Sequence, residues 1–164
     1  TKPVVNPPIT TPVKEPAKPV TNQPTAPVTP AAISNKIVRI ENLWKTTDRI
    51  HIETGAITAT PINDGAWSAQ WLLKPVPGTN YFWIENKWKP DHRINVENGA
   101  IAAGPIQDGA WSAHWELKKY SEGVYWIENR WKTGERIHVE NGKLECGKIQ
   151  DGANNAMWNI TIAK

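Results

Sequence analysis

An all-β fold with internal three-fold repetition is predicted by two observations on the sequence. One unit of about 43 residues occurs three times, over residues 36–80, 81–123 and 124–164. Within each unit, apolar and polar residues alternate with a period of two, which is typical of half-buried strands and not of helices. The chain from residue 36 onward is therefore predicted to be one small β unit repeated three times.

The repeat is clearest around Trp44, Trp88 and Trp131, which are 44 and 43 residues apart. Each of these tryptophans occupies a polar loop between two alternating segments. The same spacing links other polar and turn residues of the units: Arg49, Arg93 and Arg136, then Asp64, Asp108 and Asp151.

Two turn signals divide each unit into about four short strands. The first is Thr54-Gly55, Asn98-Gly99 or Asn141-Gly142, and an Asn-Gly pair between alternating strands predicts a hairpin with positive φ at both central residues. This turn predicts that Ile52 pairs with Ile57. The second turn is an Asp-Gly pair, which we interpret as a turn former because Asp bonds to its own backbone. It leads to a last strand that begins with a tryptophan predicted to lie in the core: Trp71, Trp115 and Trp158.

The number of strands and their repetition favour a closed arrangement. Three units are too few for a propeller, which needs at least about four blades, and a solenoid would need capping units. Closing the strands around a three-fold axis removes exposed sheet edges. The predicted fold is therefore a β-trefoil of three repeats of about 43 residues.

The N-terminal segment differs from the rest in composition. Residues 1–35 hold nine of the fourteen prolines, six threonines, no glycine and no aromatic residue. Proline removes backbone donors and holds the chain extended, so this segment is predicted to be a Pro/Thr-rich linker before a domain at 36–164. A chain that begins in such a linker suggests, as an expectation, a catalytic or anchoring domain upstream in the full-length protein.

Charge and hydropathy argue against nucleic acids and membranes as partners. The net charge is +3, and the linker's three lysines and one glutamate supply two of these charges, which leaves the domain at +1. A phosphate-binding surface usually needs a clustered basic excess. No apolar run approaches the roughly 20 residues of a membrane span. The single cysteine, Cys146, is predicted to be a small buried apolar residue.

Three motifs resemble the carbohydrate-binding modules of family 92, which are small trefoils found beside catalytic domains in secreted bacterial enzymes. They are Ile-Glu-Asn-Lys-Trp-Lys at 84–89, Arg-Ile-His-Val-Glu-Asn-Gly at 136–142 and Trp-Ser-Ala-Gln-Trp at 67–71, each with copies in the other repeats. The resemblance implies a non-catalytic, extracellular module without cofactor, with one sugar site per repeat. The implied ligands are β-1,6- or β-1,3-linked glucans or sulfated galactans.

A more distant resemblance is to ricin-type lectin trefoils. The tryptophan that opens each last strand is similar to the tryptophan of their Gln-x-Trp motif. Alanine stands in the glutamine position here, at residues 69, 113 and 156.

A sugar offers a face of C–H groups and a rim of hydroxyls, so its binder needs a flat aromatic ring and planar polar groups. Trp44, Trp88 and Trp131 are the predicted platforms, because only these loop tryptophans occur in all three repeats. The alternative is that each covers the barrel end and stacks on a nearby arginine. Trp67 and Trp111 are second choices, since asparagine replaces them in the third repeat. The counterpart of Trp83 and Trp126 is Arg39, which predicts an outward position for both.

For the polar rim, we expect an arginine and a glutamate on the outer face of the second strand to act as a pair. These residues are Arg49, Arg93 and Arg136 with Glu53, Glu97 and Glu140. The alternative is a cross-strand ion pair, such as Glu140 with Lys143. Second choices are Glu41, Glu85, Glu128, Lys45, Lys89 and Lys132. The inward-facing amides of Asn42, Asn86 and Asn129 are interpreted as structural ties for the following loop.

Catalysis is not expected. A metal site needs three or four converging ligands, but Asn95 replaces the histidine found at 51 and 138. A glycosidase needs two carboxylates in different environments, whereas repeats supply similar ones. The sequence therefore predicts a monomeric polysaccharide-binding module that anchors an attached enzyme, with a neutral glucan favoured by the low net charge. The rival hypotheses are a sulfated-galactan module and a trefoil that binds or inhibits a protein.

Overall fold

The computed structural model describes residues 31–164, which form twelve strands and three single 3-10 turns, four strands and one turn per repeat. The first repeat contains β1 (Ile37–Asn42), β2 (Asp48–His51), β3 (Thr58–Pro61), the turn Trp67–Ala69 and β4 (Trp71–Pro75). The second contains β5 (Phe82–Asn86), β6 (Arg93–Asn95), β7 (Ala102–Gly104), the turn Trp111–Ala113 and β8 (Trp115–Ser121). The third contains β9 (Val124–Asn129), β10 (Arg136–Glu140), β11 (Lys143–Gly147), the turn Asn154–Ala156 and β12 (Trp158–Ile162). Within the described residues, no helix is long and apolar enough to cross a bilayer.

The first and last strands of the repeats close into a six-stranded antiparallel barrel. Strand β1 pairs with β4 and β12, β5 pairs with β4 and β8, and β9 pairs with β8 and β12. The remaining strands form the hairpins β2–β3, β6–β7 and β10–β11, and each hairpin is joined to the first strand of its own repeat. A six-stranded barrel with three hairpins is a β-trefoil, so the predicted fold is confirmed.

The tryptophan that opens each last strand lies in the core. Trp71, Trp115 and Trp158 are fully buried. Their indole N–H groups donate to carbonyl oxygens of the second strand of the same repeat, at 2.7–2.8 Å, which supplies the partner that a buried indole needs. These residues are structural, as predicted.

The asparagine that ends the first strand of each repeat fixes the loop that follows it. The side-chain oxygens of Asn42, Asn86 and Asn129 accept the N–H groups two and three residues later, at 3.0–3.1 Å. Their amide nitrogens donate to backbone carbonyls of the preceding repeat, at 2.9–3.0 Å. The loop of each predicted platform tryptophan is thus tied to the neighbouring repeat, and the predicted structural role is confirmed.

The hairpin turns are less regular than predicted. Only the third repeat has positive φ at both central residues, 50° at Asn141 and 76° at Gly142. In the first two repeats only Gly55 and Gly99 take positive φ, and the ladder stops before the turn. The expected pair of Ile52 with Ile57 is therefore not part of the ladder, although the paired residues have the predicted register.

The folded domain begins earlier than the predicted boundary at residue 36. Ile33 is buried against the barrel core, and the Asn35 N–H donates to the Leu73 carbonyl at 2.8 Å. The rest of the predicted linker, residues 1–30, lies outside the described residues. Cys146 is half-buried against the same core, as expected for a small apolar residue, and burial raises the pKa of its thiol to about 12.

Candidate functional site

Each predicted platform tryptophan lies beside the 3-10 turn of the preceding repeat, where a groove runs between two repeats. Groove 1, between repeats 1 and 2, is lined by Glu53, Trp67, Ser68 and Trp88. Groove 2 is the equivalent position between repeats 2 and 3, to which the repeat assigns Glu97, Trp111, Ser112 and Trp131; the Asn129 amide donates to the Ser112 carbonyl at 2.9 Å and ties the loop of Trp131 to that turn. Groove 3, between repeats 3 and 1, is lined by Trp44, Asn154 and Asn155.

The tryptophans of the grooves are exposed. Trp44, Trp88 and Trp131 expose 57%, 48% and 52% of their surface, and Trp67 and Trp111 expose 58% and 53%. Large exposed aromatics that gather in grooves are typical of ligand-binding surfaces. The lid alternative predicts covered rings that stack on arginine, whereas these rings are about half exposed and contact lysine. Each loop ring has the next lysine, Lys45, Lys89 or Lys132, at 4.8–5.8 Å from its centroid.

Grooves 1 and 2 each contain a carboxylate held by a serine. The Ser68 hydroxyl donates to Glu53 Oε2, and the Ser112 hydroxyl donates to Glu97 Oε2. A carboxylate has about four acceptor positions, so each glutamate keeps capacity for further hydroxyl donors. The predicted residue Glu53 therefore lies beside two exposed indoles and keeps acceptor capacity, and Glu97 has the same serine partner at the equivalent position.

His51 supports the backbone beneath Glu53. Its Nδ1 accepts the Glu53 N–H at 3.2 Å, and its Nε2 lies 2.7 Å from the Thr60 hydroxyl. Burial lowers the pKa of His51, and the nearby Glu53 carboxylate opposes this effect. The ring is therefore neutral near pH 7, when it can accept the Glu53 N–H, and it fixes the start of the hairpin turn.

The three arginines predicted for the polar rim lie elsewhere, and their predicted pairing with Glu53, Glu97 and Glu140 is not formed. Each arginine instead pairs with the glutamate directly opposite in the ladder, because β2, β6 and β10 place it there. Each also pairs with the aspartate of the Asp-Gly turn. These arginine clamps are Arg49 with Glu41 and Asp64, Arg93 with Glu85 and Asp108, and Arg136 with Glu128 and Asp151.

The geometry of the clamps indicates a structural role. The glutamate contacts are 2.8–3.5 Å, and the arginine side chains are only 11–14% exposed. Trp83 and Trp126 point outward from the barrel as predicted but are covered by the clamps, with the guanidinium carbons of Arg93 and Arg136 at 4.6 and 4.0 Å from the ring centroids. The second-choice glutamates Glu41, Glu85 and Glu128 belong to the clamps and not to the grooves.

Several groove residues were not predicted. Ser68 and Ser112 donate hydrogen bonds to the carboxylates of Glu53 and Glu97. In grooves 1 and 2, a cation also contacts the second indole. Lys87 Nζ lies 4.7 Å from the Trp67 ring centroid, and the Arg130 guanidinium lies 4.0 Å from that of Trp111. A signal was available in the sequence: tryptophan, serine and cation all change together at groove 3, to Asn154 and Asn155 of the third repeat and Leu43 of the first.

Groove 3 lacks two features of the other grooves. Asparagine replaces the second indole, and the Asn155 amide donates to the Val139 carbonyl at 2.8 Å in place of a serine–glutamate bond. Glu140 turns to His138, with Oε2 at 3.5 Å from Nε2. Lys143 lies opposite Glu140 in the ladder, but no ion pair joins them within residues 31–164, so that alternative is not formed either.

Comparisons with known proteins agree with the fold. No protein-family profile matches the sequence, and no curated protein matches it. The structure is similar to the GlcNAcα1-4Gal-releasing endo-β-galactosidase from Clostridium perfringens, with 23% identity and a TM-score of 0.70 over 79% of this chain and 33% of that one. It is also similar to the designed three-fold symmetric protein ThreeFoil, with 17% identity and a TM-score of 0.67 over 76% of this chain and 97% of that one.

A third similar structure is SeviL bound to asialo-GM1 saccharide, with 14% identity and a TM-score of 0.66 over 79% of this chain and 98% of that one. The chain spans about a third of the endo-β-galactosidase and 17% of a mosquitocidal holotoxin, but nearly all of ThreeFoil and SeviL. At these identities the likeness shows the trefoil fold alone.

Proposed function

We propose that this domain is a non-catalytic carbohydrate-binding module whose principal sites are grooves 1 and 2, with groove 3 as a weaker variant. The proposal rests on one observation, which is made twice. Two exposed indoles and a carboxylate that a serine orients line groove 1, and the equivalent positions of groove 2 carry two exposed indoles and the same serine–glutamate bond.

The chemistry of these grooves fits a saccharide. An indole face packs against the C–H face of a sugar ring, and its N–H donates to a hydroxyl. Glu53 and Glu97 are acceptors only when ionised, so they need hydroxyl donors, and such charge-assisted bonds are the stronger kind. Two of the similar structures, an endo-β-galactosidase and a saccharide complex, support a sugar ligand in general.

A neutral β-glucan, β-1,6- or β-1,3-linked, is the favoured ligand class. A sulfate ester has no proton to donate, and the negative charge of Glu53 or Glu97 would repel it. The second candidate is a sulfated galactan, favoured by the lysines that flank the loop indoles at 4.8–5.8 Å. We prefer the glucan because the Glu53 carboxylate lines groove 1, whereas the lysines that flank the loop indoles are not among its lining residues.

Several sites on one rigid domain would strengthen binding to a polymer. A single site of millimolar affinity corresponds to only about 4 kcal/mol. Simultaneous engagement of two or three sites raises the apparent affinity by about 10²–10⁴-fold if the polymer can reach them together. This domain would then hold an attached enzyme at an extracellular polysaccharide, and we propose a monomer for this role.

Native affinity electrophoresis with immobilised β-1,3-glucan, β-1,6-glucan and sulfated galactan tests the ligand class. We expect retardation by at least one neutral glucan, and titration with a short oligosaccharide of that glucan should give about two strong sites per chain. The double variant Glu53→Gln and Glu97→Gln should lose most of this retardation, because each amide keeps the shape but loses the charge-assisted bond.

The matched control is Glu140→Gln, which changes the same position in the third repeat and should retain most binding. Retention by the sulfated galactan alone would contradict the glucan preference. No retention by any polysaccharide, together with tight one-to-one binding of a protein, would favour the protein-binding rival.

A further inference from the structure

A cluster of one histidine and two glutamates lies on the third hairpin, and none of its members is among the residues named for grooves 1 and 2. His138 and Glu140 lie on β10, and Glu145 lies on β11 directly opposite His138. One nitrogen of His138 and one carboxylate oxygen of each glutamate lie within 4.8 Å of one another. The hairpin therefore gathers three groups that are all potential metal ligands.

The hydrogen bonding of the imidazole points its other nitrogen at the two carboxylates. His138 is nearly fully buried, with a side chain 4% exposed, and its Nδ1 lies 3.0 Å from the Arg136 carbonyl oxygen. A carbonyl oxygen can only accept, so Nδ1 carries the hydrogen, and in the neutral ring Nε2 carries a lone pair. Nε2 lies 3.5 Å from Glu140 Oε2 and 3.9 Å from Glu145 Oε2. Three acceptors therefore face one another, an arrangement that a shared cation stabilises.

The spacing of these atoms suits a small divalent ion. Ligand atoms bound to one tetrahedral zinc at about 2.0–2.2 Å lie roughly 3.4 Å apart. The two distances from Nε2 to the carboxylate oxygens, 3.5 and 3.9 Å, are close to this spacing, and both glutamate side chains are exposed and free to adjust. A histidine whose other ring nitrogen donates to a backbone carbonyl is also the usual arrangement in metal sites, because the bond fixes the ring.

The other repeats lack this arrangement. At the position of His138, the first repeat has His51, whose Nδ1 accepts a backbone N–H and whose Nε2 contacts Thr60, and the second has Asn95. At the position of Glu145 the other repeats have Thr58 and Ala102. No lysine or arginine of residues 31–164 forms an ion pair with Glu140 or Glu145. The third repeat alone therefore gathers three ligands without a counter-charge.

From this geometry we propose that His138, Glu140 and Glu145 bind one divalent cation of the zinc type, with water completing the coordination. Nitrogen and carboxylate ligands together favour zinc over calcium or magnesium, which prefer oxygen alone. The cation would bridge β10 and β11 and hold Glu140 away from groove 3. This site is independent of the saccharide proposal for grooves 1 and 2, since none of its residues lies in either groove.

Calorimetric titration of the metal-stripped, tag-free chain with zinc chloride tests the proposal, followed by replacement with Co²⁺. We expect one zinc ion per chain and a visible Co²⁺ spectrum typical of low coordination number. His138→Asn and Glu145→Ala install the residues of the second repeat, so both should fold. Each should weaken zinc binding by at least about tenfold, the lower end of the effect of losing even a supporting residue of a metal site.

The control is His92→Asn, which removes a partly buried histidine paired with Asp91, outside the cluster, and should leave zinc binding unchanged. In NMR spectra, zinc should shift the ¹⁵N resonance of His138 Nε2 while the Nδ1 hydrogen remains. The proposal is wrong if the native chain does not bind zinc, or if His138→Asn and Glu145→Ala bind it as the native chain does. Glu145 is exposed, so a loss in the Glu145→Ala variant cannot be ascribed to unfolding.

Discussion

Grooves 1 and 2 differ from groove 3 both at the surface and in the contact beneath it. We call this contact the joint: the side chain that precedes the loop tryptophan packs there against a residue that follows the 3-10 turn of the neighbouring repeat. In joint 1, Lys87 Nζ donates to Gln70 Oε1 at 2.7 Å, and in joint 2 the Arg130 guanidinium contacts His114 Nδ1 at 3.1 Å. In the third joint, Leu43 packs against the apolar cluster that contains Met157. Each joint therefore has a matched pair, polar in the first two and apolar in the third.

The comparison shows that the surface and the joint change together. In joints 1 and 2 the cation is sandwiched between a polar partner and the exposed indole of Trp67 or Trp111. In groove 3, asparagine replaces that indole, so a cation there would have no aromatic ring to contact. The apolar pair of Leu43 and Met157 replaces the cation and its polar partner. The elements that build the fold do not follow this change, since the core tryptophan and the tying asparagine are present in all three repeats.

The largest expected effect comes from converting grooves 1 and 2 into groove 3. Trp67→Asn with Ser68→Asn, combined with Trp111→Asn and Ser112→Asn, removes two exposed indoles and both serine contacts. We expect polysaccharide affinity to fall by about 100-fold, since loss of multivalent binding alone can cost that much. Affinity electrophoresis and calorimetry measure it, and a melting temperature close to the native value shows that the fold survives.

The reverse change provides the matched control. Asn154→Trp with Asn155→Ser should restore in groove 3 the residues of groove 1 and should add a binding site without reducing the other two. If the four-residue variant binds as tightly as the native chain, the second indole is not part of the site. The loop tryptophans alone would then carry the interaction.

The fold was predictable because it depends on signals that recur in every repeat. The tryptophans that open the last strands and the tying asparagines have the same residue type at the same spacing three times. Strand alternation shows which face they occupy. The early start of the domain was missed, because Ile33 lies among residues with a linker composition and only its burial reveals its role.

The site was predicted only in part, for a physical reason. Alternation assigns Arg49 and Glu53 to the same face, but it does not show which carboxylate lies nearest to each arginine. The ladder places Glu41 directly opposite Arg49, and the Asp-Gly turn folds over both. The partners of Glu53 come from a 3-10 turn and a neighbouring repeat, so no local pattern joins them.

A smaller effect, on the free energy of unfolding, is expected from placing a residue of joint 1 in joint 3. Leu43→Lys places an ammonium against the apolar cluster of Val124, Trp126 and Met157, without the polar partner and ring that Lys87 has. We expect a loss of about 1–3 kcal/mol in the free energy of unfolding, as for an unpaired polar group at a partly buried position. Urea denaturation at constant pH measures it.

Adding Met157→Gln to Leu43→Lys should recover part of the loss, because it supplies the partner found in joint 1. Lys87→Arg serves as a control, since it keeps the charge and the ring contact and should cost little. A Leu43→Lys variant as stable as the native chain would show that the third joint does not depend on its apolar pair.

The smallest expected effect concerns pH and also distinguishes the joints. His114 is buried in joint 2, where Nε2 lies 2.8 Å from the Asp108 carbonyl oxygen and so donates to it, while Nδ1 accepts from Arg130. Burial lowers the pKa of His114, and the Arg130 charge adds to this effect. A histidine with a lowered pKa binds its proton more readily in the unfolded chain. The stability that depends on neutral His114 is therefore fully present above about pH 6.5, and it is lost as the pH drops below that value.

Replacing His114 by the residue of joint 1 isolates this contribution. Denaturation between about pH 7.5 and 5.5, a range above most carboxylate titrations, should show a smaller loss of stability for His114→Gln than for the native chain. His51, whose pKa is also lowered by burial, should account for part of what remains. Equal pH dependence in the native chain and His114→Gln would mean that Arg130 and His114 separate when the ring is protonated, and that joint 2 opens at little cost.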